Sequence, residues 1–252
     1  LMVSGTLIFS VVLAASVIFF RVNRSRQKAK TQQKLVETEL MALRAQMNPH
    51  FIFNCLSSIQ NCIDKNDFTL ADKYLGKFSK LLRVVLKTSR KPFITIEDEV
   101  NYLSLYIDLE NLRQNNSFIY SIHVADEIDP TETEIPVMLI QPYVENAIKH
   151  GLAMKKENGE LEINFSKKEN DLIISVKDNG IGRERSQQFK KNDLKRKVHE
   201  SMGLLITEER VNLLYKTIDI KKAITIKDLY DEKGNPAGTE VILIIPMERT
   251  TV

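Results

Sequence analysis

An α+β architecture follows from three features of the 252-residue sequence. Apolar positions recur at helical spacing between residues 35 and 113. Short alternating apolar runs mix with helices from about Asn116 onward. An uncharged stretch, Leu1 to Phe20, opens the chain. A hydrophobic content of 43% and a charged content of 27% describe a globular chain with material for one or two cores. The net charge of +3 is too small to imply a nucleic-acid partner, and no direct nucleic-acid binding is expected.

Leu1 to Phe20 is apolar or small throughout, and 20 residues rising about 1.5 Å each span the hydrocarbon core of a bilayer. A cleaved leader would carry a basic start and a small-residue cleavage site, and neither is present. Arg21, Arg24, Arg26, Lys28, Lys30 and Lys34 follow, with no acid before Glu37. That positive flank predicts a transmembrane helix over 1–20 in the cytoplasmic membrane, with everything downstream in the cytoplasm. The chain then reads as the C-terminal part of a longer protein whose sensing region precedes it. Within the 21–47 flank, Val36, Leu40, Leu43 and Met47 form a heptad-like seam, which predicts a signalling helix running into a parallel dimer.

At Asn48-Pro49-His50 the polar stretch turns into an apolar helix. Asn48 suits its cap, Pro49 its first turn, and His50 projects from a rigid support. An imidazole nitrogen is nucleophilic near neutral pH and can carry a phosphoryl group. Phe51, Cys55, Ile59 and Ile63, with Leu56, mark this helix to about residue 63. Asp64 to Asp67 form a turn. Leu70, Leu75, Phe78, Leu82 and Val85 mark a second helix ended by Lys91-Pro92. Two such amphipathic helices cannot bury both stripes alone, so the hairpin is expected to pair with a second copy as a four-helix bundle. Residues 35–113 are therefore read as a dimerisation and phosphotransfer region, its third helix opened by a capping box at Thr95-Ile96-Glu97-Asp98. Cys55 and Cys62, two turns apart, cannot form a disulfide and are expected to be buried and reduced.

Residues 116–248 carry the remaining chemistry. In Gln141 to Gly151 a helix ending at Gly151 puts Asn146, Lys149 and His150 on one face. A carboxamide oxygen suits Mg²⁺ and a lysine suits polyphosphate. Glu145 could polarise a metal-bound water or face solvent. In the strand Leu172 to Asp178, alternation puts Asp178 on the buried face with Leu172, Ile174 and Val176, so its carboxylate needs a donor. Gly180 and Gly182 let backbone approach a ligand closely. Residues 183–200, rich in Arg and Lys, suit a mobile lid. Beyond them Leu204, Val211 and Leu214 mark a helix whose N-terminus suits phosphate. Thr239, Val241, Leu243 and Ile245 share one face of a last strand beginning at Gly238-Thr239.

The string Ala45 to Asn54, AQMNPHFIFN, resembles the histidine box of the LytS/YehU-type sensor histidine kinases. The stretch QPYVENAIKHG resembles their N box, and Asp178-Asn179-Gly180-Ile181-Gly182 the G1 box of the GHKL ATPases. The resemblance implies a GHKL-type α/β sandwich binding ATP and Mg²⁺, with Asn146 at the metal, Asp178 reading adenine and Thr239 supporting the pocket. It implies His50 as phospho-acceptor, Asn54 as a residue that aligns a dephosphorylating water, and transfer to a response regulator, often of LytTR type. Two positions depart from the pattern. Phe51 stands where related kinases often have an acid, and in Ser201-Met202-Gly203-Leu204 only Gly203 matches the glycine-rich third box. An ATP-binding pseudokinase or scaffold is the alternative expectation, and a GHKL ATPase without phosphohistidine a third.

Overall fold

The structure, a computed structural model, describes residue 21 and residues 49–88, 91–155, 157–190 and 223–247, leaving aside the side chains of 49, 50 and 187–190. The chain divides into two compact units, Leu1–Ile52 and Phe53–Val252. The expected span, the basic flank after Arg21, the seam to Met47 and the Asn48 cap lie outside the described residues. Among the described residues no helix is long and apolar enough to cross a membrane.

Helix α1, Pro49–Asp64, starts at the proline, which gives up no hydrogen bond there. Asn66 takes a left-handed φ of 59° in the turn, and the Asp67 carboxylate accepts from the Leu70 amide at 3.0 Å to open α2, Phe68–Thr88. The buried stripes differ from the expected ones. In α1 Cys55, Ile59 and Cys62 are buried, while Leu56 and Ile63 are exposed; in α2 Tyr74, Phe78, Leu81 and Val85 are buried, while Leu75 is exposed. Each helix carries apolar residues on more than one face, so helical spacing alone could not say which face meets the rest of the chain. Both cysteines are free and buried, and burial together with nearby Glu110 pushes the Cys55 thiol up to about 12.

β1, Phe93–Thr95, pairs antiparallel with β3, Glu134–Pro136. Between them in sequence run α3, Ile96–Arg113, and β2, Phe118–Val124. The Thr95 hydroxyl accepts from the Asp98 amide at 3.1 Å, which is the expected N-cap. The β1–β3 ladder and the Ile96 and Glu97 amides, which donate to the carbonyls of Thr133 and Pro130, weave α3 into the nucleotide half. Helical spacing groups α3 with the hairpin; the structure joins it to both. From α2, Lys77 Nζ reaches Asp108 Oδ2 of α3 at 2.5 Å, and Tyr120 Oη of β2 donates to Asp108 Oδ1 at 2.8 Å. Glu110, 1% exposed, accepts from Arg113 Nε and Nη2 at 3.1 and 2.5 Å. A carboxylate at that depth requires such donors.

Five strands form the main sheet in the order β2-β4-β5-β7-β6, with β4 Gly159–Lys168, β5 Asp171–Asp178, β6 Ile224–Tyr230 and β7 Pro236–Pro246. β2 and β4 are parallel and the other pairs antiparallel. Leu161, Ile163, Phe165, Leu172, Ile174, Val176, Leu243 and Ile245 form one buried face; Glu160, Glu162 and Lys177 point to water on the other. Buried side chains of α3 (Leu103, Tyr106, Ile107) and of the helix after β3 (Tyr143, Val144, Ile148, Leu152) complete the core.

Candidate active site

The segment after β3 sets up one side of the site. Met138 takes a left-handed φ of 57°, rare for a bulky residue, just before helix α4, Gln141–Asn146. Sequence reading expected one helix closed by Gly151. Instead α4 widens into a π-helical turn, Ala147–Gly151, and then tightens into a 3₁₀ turn, Leu152–Met154. Gly151 has φ −90° and ψ −67°, so it does not end the helix as a left-handed cap. Its lack of a side chain serves proximity, because a Cβ there would lie 2.5 Å from Asp178 Oδ1. A π-turn inserts a residue into the helical repeat and turns the following side chains out of α-helical phase. Asn146, Lys149 and His150 are all half-buried along it. Lys149 is paired with Glu145, which therefore neither faces solvent alone nor leaves the lysine unengaged.

The other side is the end of β5. The alternating burial of that strand extends to Asp178, which is 4% exposed and lies opposite Thr239 of β7. Asp178 Oδ1 accepts the Gly180 amide at 2.8 Å. No donor among the described residues reaches Oδ2. Burial raises the carboxyl to about 6, against the lowering effects of the Gly180 amide and Lys155. Three glycines crowd the carboxylate and its strand end. A Cβ on Gly180 would strike the Gly151 backbone, and one on Gly238, at φ 140°, would strike the Asp178 carbonyl. Gly182, at φ 75°, opens α5, Gly182–Lys190. That helix occupies the first part of the stretch expected to be a lid; 191–200 lie outside the described residues. Arg183 is bidentate to Asp228 of β6 at 2.7 and 2.6 Å, which ties the start of α5 to the sheet.

A buried carboxylate with an open acceptor oxygen fits a ligand that brings a donor, and adenine's exocyclic amine is one. For Mg²⁺, no cluster of three His, Cys, Asp or Glu exists among the described residues. A carboxamide oxygen suits a hard cation, and the half-buried Asn146 carries one.

Known families match both parts of this arrangement. Residues 38–118 match the histidine kinase family, and 132–249 match the family of histidine kinase-, DNA gyrase B-, and HSP90-like ATPases. The chain belongs to the histidine kinases. Sensor protein LytS of Bacillus cereus is 32% identical over 87% of this chain and 36% of its own length. Sensor histidine kinase YpdA of Escherichia coli is 31% identical over 92% of this chain and 38% of its own. The kinase thus spans under two-fifths of the length of these curated relatives, 36% and 38%.

Within this histidine kinase, Asp178 and Gly180 crowd Gly151, Thr239 lies opposite Asp178 and Gly182 sits against Pro236 at the start of α5, whereas His50 belongs to the first compact unit, in the first turn of α1. Asn54 follows one turn later, half-buried. Gly203 and Leu204 lie outside the described residues. Sequence reasoning missed Lys155, whose Nζ donates to the Asn179 carbonyl at 2.8 Å. No local pattern marks it, since it meets a turn 24 residues away.

Proposed function

We propose that this kinase phosphorylates itself on His50 with Mg-ATP and passes the group to a response-regulator aspartate, with a LytTR-type regulator as the favoured partner. The P–O bond between the γ-phosphorus and the β–γ bridging oxygen breaks, an N–P bond forms on the His50 imidazole, and ADP leaves. The observation that carries the nucleotide half of this reading is the Asp178 carboxylate, buried and with no donor on Oδ2 among the described residues. Bound Mg²⁺ supplies charge neutralisation at the phosphates, with Asn146 holding it; Lys149 would leave Glu145 to meet phosphate oxygens. His150 and the backbone at Gly180 and Gly182 line the same site, and Gly203 and Leu204, outside the described residues, are assigned to nucleotide binding by the third-box resemblance alone. Thr239 supports Asp178 from the neighbouring strand. Asn54 aligns a water for dephosphorylation of the regulator. Phe51 offers no base, so the imidazole proton leaves to solvent or phosphate.

Residues 1–20 anchor the chain in the cytoplasmic membrane, and two copies pair through the hairpin. What supports the pairing is a second apolar stripe: Phe53, Leu56 and Ile63 of α1 and Phe68, Leu75 and Leu86 of α2 are 47–68% exposed. The pseudokinase reading has its own support in the Glu145–Lys149 pair, which occupies the lysine. Incubation of the full chain with γ-labelled ATP separates the two. Acid-labile, base-stable label that disappears in His50→Gln, with nucleotide affinity unchanged, is the expected result. Absence of label despite ATP binding would establish the pseudokinase, and label retained by His50→Gln would move the acceptor elsewhere.

A further inference from the structure

Lys155 lies just past the 3₁₀ turn that follows the π-turn, outside every motif described above. Its ammonium donates to the Asn179 carbonyl at 2.8 Å. Asn179 is gripped from the same segment a second time: its Nδ2 donates to the Asn158 carbonyl at 3.0 Å, and its Oδ1 accepts the Glu160 amide at 2.8 Å. The Ile181 amide donates to the Gly151 carbonyl at 3.2 Å. The turn from Asp178 to Ile181 is therefore held from residues 151–160, and Lys155 is the cation in that grip.

We propose that Lys155 is a positioning residue for base recognition, fixing the turn after Asp178 and supplying the positive charge that keeps the Asp178 carboxylate an anionic acceptor. The proposal rests on the adenine reading of Asp178. Burial works against the charged carboxylate, and Lys155 is the side-chain charge that opposes it. Among the described residues, the other charged groups on the surrounding elements are engaged or turned to water. On the helix Lys149 is paired with Glu145; on β7 Glu240 meets Lys227; at α5 Arg183 is held by Asp228; on β4 Glu160 and Glu162 are exposed. His150, also on the π-turn, is half-buried and has contacts of its own.

The test is ADP affinity of the full chain from pH 5.5 to 8.5 for wild type, Lys155→Met and Lys155→Arg; the nucleotide's own phosphate titrates alike in all three. Loss of the Asn179 contact weakens binding at every pH, and loss of a nearby cation raises a carboxyl by roughly one pH unit, so the loss in Lys155→Met should be up to about fivefold larger at pH 6 than at pH 8. Lys155→Arg should retain the wild-type profile. A loss in Lys155→Met that is equal at every pH, or no loss, overturns the proposal, the former leaving Lys155 a loop clamp only. Should the methionine variant fail to fold, Lys155→Gln keeps a donor without the charge and must show the same acid-side loss. Asp178→Asn measured in parallel separates the two levels. Unchanged ADP affinity there refutes the adenine reading itself, whereas a loss there with no pH shift in the lysine variants refutes only the role of Lys155.

Discussion

In the α1–α2 hairpin apolar side chains occupy two stripes and only one is buried, with Phe53 and Phe68 left 68% and 63% exposed. In the nucleotide half the strands bury the apolar stripe of their inner face, with Phe165, Ile163 and Ile174 at 0% exposure, and leave only scattered apolar residues such as Ile119 and Ile226 on the outer face. Among the described residues they present an acceptor without a donor at the Asp178 carboxylate. Unmet apolar surface is relieved by another protein surface, and an unmet buried acceptor by a ligand that brings a donor. The two regions therefore point to different partners. Helix α3 lies between them: its Asp108 takes Lys77 of α2 on one side and Tyr120 of β2 on the other, while Arg113–Glu110 is an ion pair within α3 itself.

That contrast can be broken at several points. The largest effect is expected at the nucleotide site itself: Gly180→Ala forces a Cβ into the Gly151 backbone, which overpacks a fixed site and should cost more than about 3 kcal/mol in urea unfolding. Next is the buried ion pair inside α3. Arg113→Met strands Glu110 as a buried charge and should cost about 3 kcal/mol, most of it recovered in the double variant Glu110→Leu/Arg113→Met. Full additivity of the two changes would show that the pair does not act as a unit.

Asp178→Asn should move stability and binding in opposite directions. A carboxyl raised in the folded state from 3.8 to about 6 contributes stability that is present below pH 3.8 and lost as pH rises through 6. At neutral pH its charge costs up to about 3 kcal/mol. The asparagine variant should therefore melt above wild type at pH 7, with the gap closing as pH falls through 6 and gone below about 4. Its ATP affinity should fall roughly tenfold to a hundredfold, with loss of preference over GTP. Higher stability with intact affinity would make the carboxylate structural. The smallest effect on folding belongs to the exposed stripe. Phe53→Ser with Leu86→Ser should change the stability of the folded chain by no more than about 0.5 kcal/mol each, yet reduce self-association in light scattering. Unchanged association would exclude the stripe as the dimer surface.

Local pattern was enough for the helix starting at Pro49, the Thr95 cap and the alternation that buries Asp178. Each depends on residues close in sequence, or on a period of two or 3.6 that backbone geometry imposes. Packing between distant segments decided the rest. Spacing could not choose between two apolar faces on α1, because both satisfy the same helical period and only the facing surface of α3 and its neighbours selects one. Nor could it distinguish a helix-ending Gly151 from one kept bare by Asp178, 27 residues later. Lys155 is the same case: its role exists only because β4 and β5 pair antiparallel and return the Asp178 turn to the segment that leads into them. A side chain's period is written in its neighbours, but the identity of what it meets is fixed by how the chain folds back.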